Sequence, residues 1–379
     1  MHSLPRRQHL PPGLLTLADH ETHAQSRLDA AVWAYFSGGA ADEITLHANR
    51  QAWDRLSLRP RVLRPLQPLD LSCHLLGKSW PTPLLVAPMA CQRLAHPDGE
   101  RATALAAAAL GAGLVLSAQT STAPEAVAQL ALGDAGRGPL WFQLYGLGDR
   151  AWMLELVQRV QQAGYEALVL TVDAPVNGVR DRERRAGFTL PPDWLALPGP
   201  AAPAGGPGGP GGPVGLQALL SQALSWADVE WLLAHSPLPL LLKGITHPDD
   251  ARQAASLGVA GLICSNHGGR VLDTLPATAE LLPAIVQAVQ GACPVLVDGG
   301  IRRGTDIVKA LALGAQAVLV GRPVLYGLAN AGATGVAHVL RLLLDEFMAA
   351  LALCGIDRLA DLKPSCLWSL NMNEIDSRL

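Results

Sequence analysis

Charge is scarce in this sequence of 379 residues, and lysine is nearly missing. Asp, Glu, Lys and Arg make up 16% of it, against about 25% in an ordinary globular protein. The formal net charge is −3, so the chain has no field with which to bind nucleic acid by bulk electrostatics, and no such partner is expected. A hydrophobic fraction of 49% excludes a disordered chain, which needs low hydrophobicity and high charge. The six cysteines, at 73, 91, 264, 293, 354 and 366, form no C-x-x-C pair. They are too sparse for a disulfide scaffold, and reduced thiols in the cytoplasm are the expectation. H-E-x-x-H and Cys/His ligand spacings are missing, so no metal is expected. The start, MHSLPRRQHLPPGLLTLADHETH, has no long apolar core and no secretory signal. The longest apolar run, Ala102 to Ala118, is mostly alanine and is broken at Gly111-Ala-Gly113. It predicts a buried helix, a turn and a strand rather than a membrane span.

Residues 1 to about 75 carry helical patterning, followed by a Pro/Arg-rich stretch from Arg59. A rhythm then begins. Apolar runs that read as buried strands recur at 84–87, 114–117, 140–143, 168–172, 239–243, 261–265, 294–298 and 317–320. Amphipathic stretches fill most gaps, among them 149–163, 248–257, 277–289 and 305–313. Continuous apolar strands alternating with helices mean a parallel sheet covered on both faces. Eight such units predict an α/β fold, a (β/α)8 TIM barrel over 76–379, with an N-terminal helical extension over 1–75 packing on it. After the fourth run a connection of about 65 residues contains Pro198–Pro213, built of Pro, Gly and Ala alone. A flexible loop over about 191–215 is expected, either a lid over the catalytic face or a linker without a role.

Two apparent phosphate motifs are discarded. Gly206-Pro-Gly-Gly-Pro-Gly211 matches G-x-G-x-x-G but follows no strand, opens no helix and lacks amide donors at its prolines. Ser72–Ser79 misses the P-loop pattern because serine replaces the first glycine.

Function in a barrel sits at the C-terminal ends of the strands. Here the third run ends in Gln143-Leu-Tyr145, the fourth in Thr171-Val-Asp173, the fifth in Lys243 and the sixth in Ser265-Asn-His267-Gly-Gly-Arg270. The seventh ends in Asp298-Gly-Gly-Ile-Arg302-Arg-Gly304 and the eighth in Gly321-Arg322. Six consecutive strands delivering polar groups to one rim is not a packing pattern. The glycines and arginines after runs seven and eight suit a phosphate. An aspartate beside His267 would raise its basicity and fix its tautomer, as a general base needs. Arg270 and Arg180 could hold a carboxylate in bidentate fashion.

At these motifs the sequence resembles a known family. Ser265–Arg270, Asp298–Asp306, Phe142–Tyr145, Leu170–Pro175 and Ala95–Glu100 are similar to motifs of the FMN-dependent L-2-hydroxy acid oxidases and dehydrogenases. The likeness runs from about Tyr35 to about Cys354 and is nearest the glycolate oxidase and lactate oxidase type. It implies oxidation of an L-2-hydroxy acid to the 2-oxo acid, with flavin reoxidised by O2 to give hydrogen peroxide or by another acceptor. His267 would take the substrate's proton while a hydride equivalent reaches the flavin, and Asp173 would steady the imidazolium. Arg180 and Arg270 would clamp the carboxylate, and Tyr35 and Tyr145 would hydrogen-bond the substrate. Lys243 would stabilise negative charge at the flavin N1/O2 edge. Ala87, Pro88, Met89, Ala90, Ser117, Gln143 and Thr171 would line the ring, with Ser265 beside them. Asp298, Gly300, Arg302, Gly321 and Arg322 would hold the ribityl phosphate. The resemblance further implies a homotetramer.

The sequence departs from glycolate oxidase-like members at Gln119, where they carry Trp on the substrate wall, and at Met89, where Thr is usual. Gly146 and Asn177 are also unusual at positions expected to border the substrate. These put the substrate's side chain in question rather than the chemistry. A dehydrogenase with another acceptor, a non-redox flavin isomerase and a flavin-binding protein without turnover stand as the alternatives. The ending Ser377-Arg378-Leu379 resembles a peroxisomal address, which would matter only in a eukaryote; cytoplasm is the expected compartment.

Overall fold

The structure, a computed structural model, describes residues 8–146, 149–190, 194–197 and 223–368. Pro198–Pro213 and Ser377–Leu379 therefore lie outside the described residues.

Eight parallel strands close into a barrel: β1 Leu84–Val86, β2 Gly113–Ser117, β3 Leu140–Leu144, β4 Ala167–Thr171, β5 Leu240–Ile245, β6 Gly261–Cys264, β7 Val295–Val297 and β8 Ala317–Val320. They pair in chain order, and β8 closes on β1. Each coincides with one of the eight apolar runs within a residue or two. The helices follow suit. Three precede the barrel: α1 Leu17–Gln25, α2 Ala30–Ser37 and α3 Ile44–Arg55. The rest are α4 Gly99–Ala109, α5 Pro124–Ala131, α6 Arg150–Gln162, α7 Asp181–Arg185, α8 Trp226–His235, α9 Pro248–Ser256, α10 Thr278–Val289, α11 Gly304–Ala312 and α12 Arg322–Cys354. Ala102–Ala118 thus holds most of α4, a turn and β2, as its glycines predict. Among the described residues no helix is long and apolar enough to cross a membrane.

The extension is helical only to Arg55. Cys73–Leu75 and Lys78–Trp80 form an antiparallel hairpin, so the boundary expected at 75 falls inside it, and so does the discarded phosphate-loop lookalike. The hairpin sits just before β1, at the barrel's N-terminal end. Its Cys73, Leu75 and Trp80 pack against the barrel interior and close that end.

Period-two alternation explains how apolar strands end in polar groups. Leu84, Leu114, Phe142, Leu168, Leu242 and Val297 face the surrounding helices, while Leu85, Val115, Trp141, Val169, Leu241, Ile263, Leu296 and Leu319 fill the barrel. Two residues beyond each of those interior positions stand Ala87, Ser117, Gln143, Thr171, Lys243, Ser265, Asp298 and Gly321. The interior thus turns polar in a single layer at the C-terminal end. Register keeps the layer together, with Ser117 opposite Gln143 and Thr171 opposite Lys243.

The pairing of β5 with β6 shifts register between Lys243 and Ile245. Gly244 makes the shift with φ +108, and a Cβ there would lie 2.5 Å from the Cβ of Asp173. Glycine lets β5 pass the aspartate without displacing it.

Candidate active site

The rim residues converge on a cavity of about 540 Å³ at the barrel mouth. Tyr35, Pro88, Met89, Ala90, Ser117, Gln119, Tyr145, Thr171, Arg180, Lys243, His267, Arg270, Asp298, Gly300, Arg302, Gly321 and Arg322 line it, as does Asn177. Three expected site residues stand one layer behind. Gln143 accepts a hydrogen bond from Ser117 Oγ at 2.9 Å, Ser265 Oγ accepts one from Lys243 Nζ at 2.9 Å, and Asp173 sits behind His267. Gly146 faces Leu224 rather than the cavity, and a Cβ there would come within 2.3 Å of the leucine Cγ.

His267 follows β6 on a turn in which it, Gly268 and Gly269 all have positive φ. A φ of +56 is unusual for a non-glycine residue and stores strain that the surroundings must hold. The backbone N–H of His267 donates to Ser265 Oγ at 3.1 Å, and Nδ1 meets Asp173 Oδ1 at 2.9 Å. With an ionised aspartate as acceptor, Nδ1 carries the proton and Nε2 keeps its lone pair toward the cavity. Burial lowers the affinity of this imidazole for a second proton; Asp173 opposes that shift, and Lys243 and Arg270 reinforce it, leaving it below the ordinary histidine range. Burial works against the charge of Asp173, but His267 and Lys243 hold it below the usual carboxylate range.

Lys243 is buried and also lies 3.2 Å from Asp298 Oδ2. Burial opposes its charge, and Asp298, Asp173 and Tyr145 outweigh burial, so its affinity for a proton is raised. Burial pushes the phenols of Tyr35 and Tyr145 up, so both are donors at neutral pH.

The extension completes the site. Arg270 Nη1 donates to the carbonyls of Tyr35 at 2.7 Å and Gly38 at 2.9 Å, and its guanidinium lies 5.3 Å from the centre of the Tyr35 ring. Its Nε and Nη2 have no hydrogen-bond partner among the described residues. Arg180 is the more satisfied arginine: its guanidinium pairs with Glu183 at 3.3 Å. Arg322 donates to the carbonyls of Phe36, Gly38 and Gly268. Burial, with Arg270 and Arg302 nearby, pushes it down to about 9. Asn49 of α3 exchanges two 2.9 Å hydrogen bonds with Asn266, next to His267. The N-terminus of α3 is capped from outside, since Asp273 accepts from the N–H groups of Asp42, Ile44 and Thr45. The turn after β6 therefore holds the extension, and the extension holds that turn.

Phe188 is a cavity residue that sequence reasoning missed. It stacks on Tyr35 with centroids 4.3 Å apart and planes 10° apart. It lies beyond α7 in an irregular segment, where no periodicity or motif marks it. Glu183, the partner of Arg180, was missed as well: it lies within α7, whose five residues are too few to show a helical period.

The comparisons with known proteins decide what this site is. The model of the family described as FMN-dependent dehydrogenase matches residues 24–369. The chain belongs to the FMN-dependent dehydrogenase family. It is 48% identical over 363 residues to an L-lactate oxidase of Roseobacter sp. (strain GAI101), covering 94% of this chain and 96% of that one. It is 42% identical over 372 residues to glycolate oxidase 1 of Zea mays, covering 97% and 99%. A solved mandelate oxidase matches with a TM-score of 0.82 at 39% identity, over 93% of this chain and 98% of that one. The family resemblance, the barrel, the FMN dependence and the enzymatic character expected from the motifs all hold. The relatives found are named as oxidases of L-lactate, glycolate and mandelate.

The residues present fit FMN. Asp298 Oδ1 is buried without a hydrogen-bond partner, as suits an acceptor awaiting a ribityl hydroxyl. Arg302 and Arg322 reach the same cavity without a carboxylate partner among the described residues, as suits arginines awaiting a phosphate. Among the described residues no group of three or more His, Cys, Asp or Glu could hold a metal ion.

Proposed function

We propose that this chain oxidises a small L-2-hydroxy acid, of the size of lactate, to the 2-oxo acid and passes the electrons to O2, giving hydrogen peroxide. The observation that carries this reading is the His267–Asp173 hydrogen bond beside a half-unsatisfied Arg270 guanidinium in one cavity. A base and a carboxylate clamp face the same space, as removal of a proton from a hydroxy acid requires. The cavity of about 540 Å³ must take both flavin and acid, which favours a short side chain. The relatives named for L-lactate and glycolate support the same size.

FMN, when bound, supplies the two-electron acceptor that the oxidation needs. The rest falls to the protein. Arg270 presents Nε and Nη2 to the substrate carboxylate, and Arg180 adds charge beside it. Tyr35 and Tyr145 donate hydrogen bonds that orient the acid. His267 Nε2 takes the hydroxyl proton, and Asp173 stabilises the imidazolium that results. Lys243, held by Ser265 and Asp298, keeps positive charge at the flavin edge. Asp298 and Gly300 would meet the ribityl chain, and Arg302, Gly321 and Arg322 its phosphate.

The test is a visible spectrum of the full-length protein, titrated with L-lactate without oxygen and then opened to air. Bleaching of the flavin band followed by rapid return with hydrogen peroxide supports the reading. Bleaching with slow return would point to another acceptor, and a flavin that no short L-2-hydroxy acid bleaches would sink the substrate assignment.

Asp173→Asn gives a check on the base. The carboxylate raises the imidazole's affinity for a proton, so its loss lowers that affinity further. The acid limb of kcat/KM, already expected below the ordinary histidine value of about 6.5, moves to lower pH. The plateau rate falls by about 10–100-fold because the imidazolium is no longer stabilised. A pH profile that does not move would show that His267 is not the group titrating.

A further inference from the structure

Two of the six cysteines come together outside the central cavity. Cys354 ends α12, and Cys366 leads into Leu367–Trp368, a short strand paired antiparallel with Ser57–Leu58. The segment that continues from Ser57–Leu58 holds both cysteines. Arg59 N–H donates to the Cys366 carbonyl at 2.7 Å, and Arg61 N–H donates to the Cys354 carbonyl at 3.2 Å. Pro60 keeps Arg59 extended, and in an extended chain N–H groups two residues apart point the same way, about 6.8 Å apart. The two cysteines therefore sit side by side on one edge, near the spacing of about 4.4–6.8 Å that a disulfide spans between Cα atoms.

Their surroundings differ. Cys354 is 5% exposed and belongs to the core cluster, while Cys366 is half-buried and packs against that cluster. Cys366 Sγ meets the Asp361 carbonyl at 3.8 Å, a weak contact that does not fix it. Burial raises the Cys354 thiol above its ordinary range, and Cys366 adds to the rise, so each sulfur lies within electrostatic reach of the other. Cys73, Cys91 and Cys264 are buried. Cys293 is the other half-buried thiol, on the turn after α10, and burial alone bears on it. Among the six, Cys366 alone is both open to a small oxidant and beside a second thiol. The strand it leads into is two residues long, so the segment can make the small shift that a bond requires.

We propose that Cys354 and Cys366 form a modification site for hydrogen peroxide, closing to a disulfide. The inference rests on the oxidase reading of this chain for its source of peroxide. The Cys366 sulfur attacks one peroxide oxygen: the S–O bond forms, the O–O bond breaks, and water leaves with the thiol proton. The sulfur is oxidised to a sulfenic acid and the peroxide is reduced. The Cys354 sulfur then displaces the hydroxyl: the S–S bond forms, the S–O bond breaks, and a second water carries off the Cys354 proton. The bond ties the Leu367–Trp368 strand to the end of α12.

Reduced full-length protein, given a few equivalents of hydrogen peroxide and then denatured, should lose two of its six titratable thiols. Peptide mapping without reductant should find the Cys354 and Cys366 peptides linked. The oxidised protein should melt at a higher temperature, because the bond constrains the unfolded chain, and dithiothreitol should reverse both changes. In Cys354→Ala the oxidation should stop at a Cys366 sulfenic acid that dimedone traps, and in Cys366→Ser the remaining thiols should persist. Six thiols left after peroxide would overturn the proposal, and so would a loss at Cys293 as large as at Cys366. L-lactate in air should form the same bond, and catalase should prevent it. A bond made by added peroxide but not by L-lactate in air would overturn the proposed reaction instead and leave the site standing.

Discussion

His267→Gln is expected to slow anaerobic bleaching of the flavin by L-lactate by about 10²–10⁴-fold while leaving the flavin bound. That range is what a positioned general base contributes. Glutamine is a similar size and can keep a hydrogen bond to Asp173, but it has no lone pair basic enough to take a hydroxyl proton. The effect should appear in kcat and in kcat/KM alike, because the proton moves only as the reaction proceeds. Two controls separate chemistry from damage. The visible spectrum before substrate is added reports the cofactor, and the melting temperature reports the turn at φ +56, which glutamine must also adopt. Bleaching at the wild-type rate would remove His267 from the mechanism and leave the carboxylates that line the cavity, Glu183 and Asp298, as the bases to test.

Much of this site is legible in the sequence. The eight strands are readable because their residues are apolar on both faces, which only a covered parallel sheet requires. The polar layer is readable because strands alternate with period two. Val115 fixes Ser117, Leu241 fixes Lys243, and Leu296 fixes Asp298 as interior positions, so a polar residue there must face the barrel mouth. Family resemblance then attaches roles to His267, Arg270 and Arg322. What cannot be read is everything that depends on two distant segments meeting. Phe188 shows no pattern, and it becomes a wall of the site only because α7 brings it against Tyr35. The helix after β8 kinks at Ala331 and Gly332. Its two arms then cross so closely that a Cβ on Gly335 would lie 1.9 Å from the carbonyl of Gly327. The extension is expected to pack on the barrel, but nothing in its sequence reveals that its Tyr35 and Gly38 carbonyls fix Arg270.

That last contact sets the second large effect. Arg270→Met is expected to lower kcat/KM for L-lactate by about 10²–10³-fold, mostly through KM. The guanidinium splits its donors: Nη1 holds the end of α2, and Nε with Nη2 is left for the substrate. A charged, bidentate bond to a carboxylate in a buried site is worth several kcal/mol, and methionine replaces the apolar stem without any of it. Arg180 does not substitute, because its guanidinium already pairs with Glu183 at 3.3 Å. Arg270→Lys should recover only part of the loss. A lysine keeps the charge, but it cannot hold the Tyr35 and Gly38 carbonyls and a carboxylate with one fork. The split between the two halves of the fork is measurable. If Arg270 acts on the substrate carboxylate, the loss is as large for glycolate as for L-lactate, and FMN affinity stays within a few-fold of wild type. If it acts only by holding α2, Tyr35 shifts with it and FMN release quickens through the loosened Arg322 contacts on Phe36 and Gly38. An Arg270→Met protein with unchanged KM for lactate would leave the carboxylate to Arg180 and would reverse the order of the two arginines.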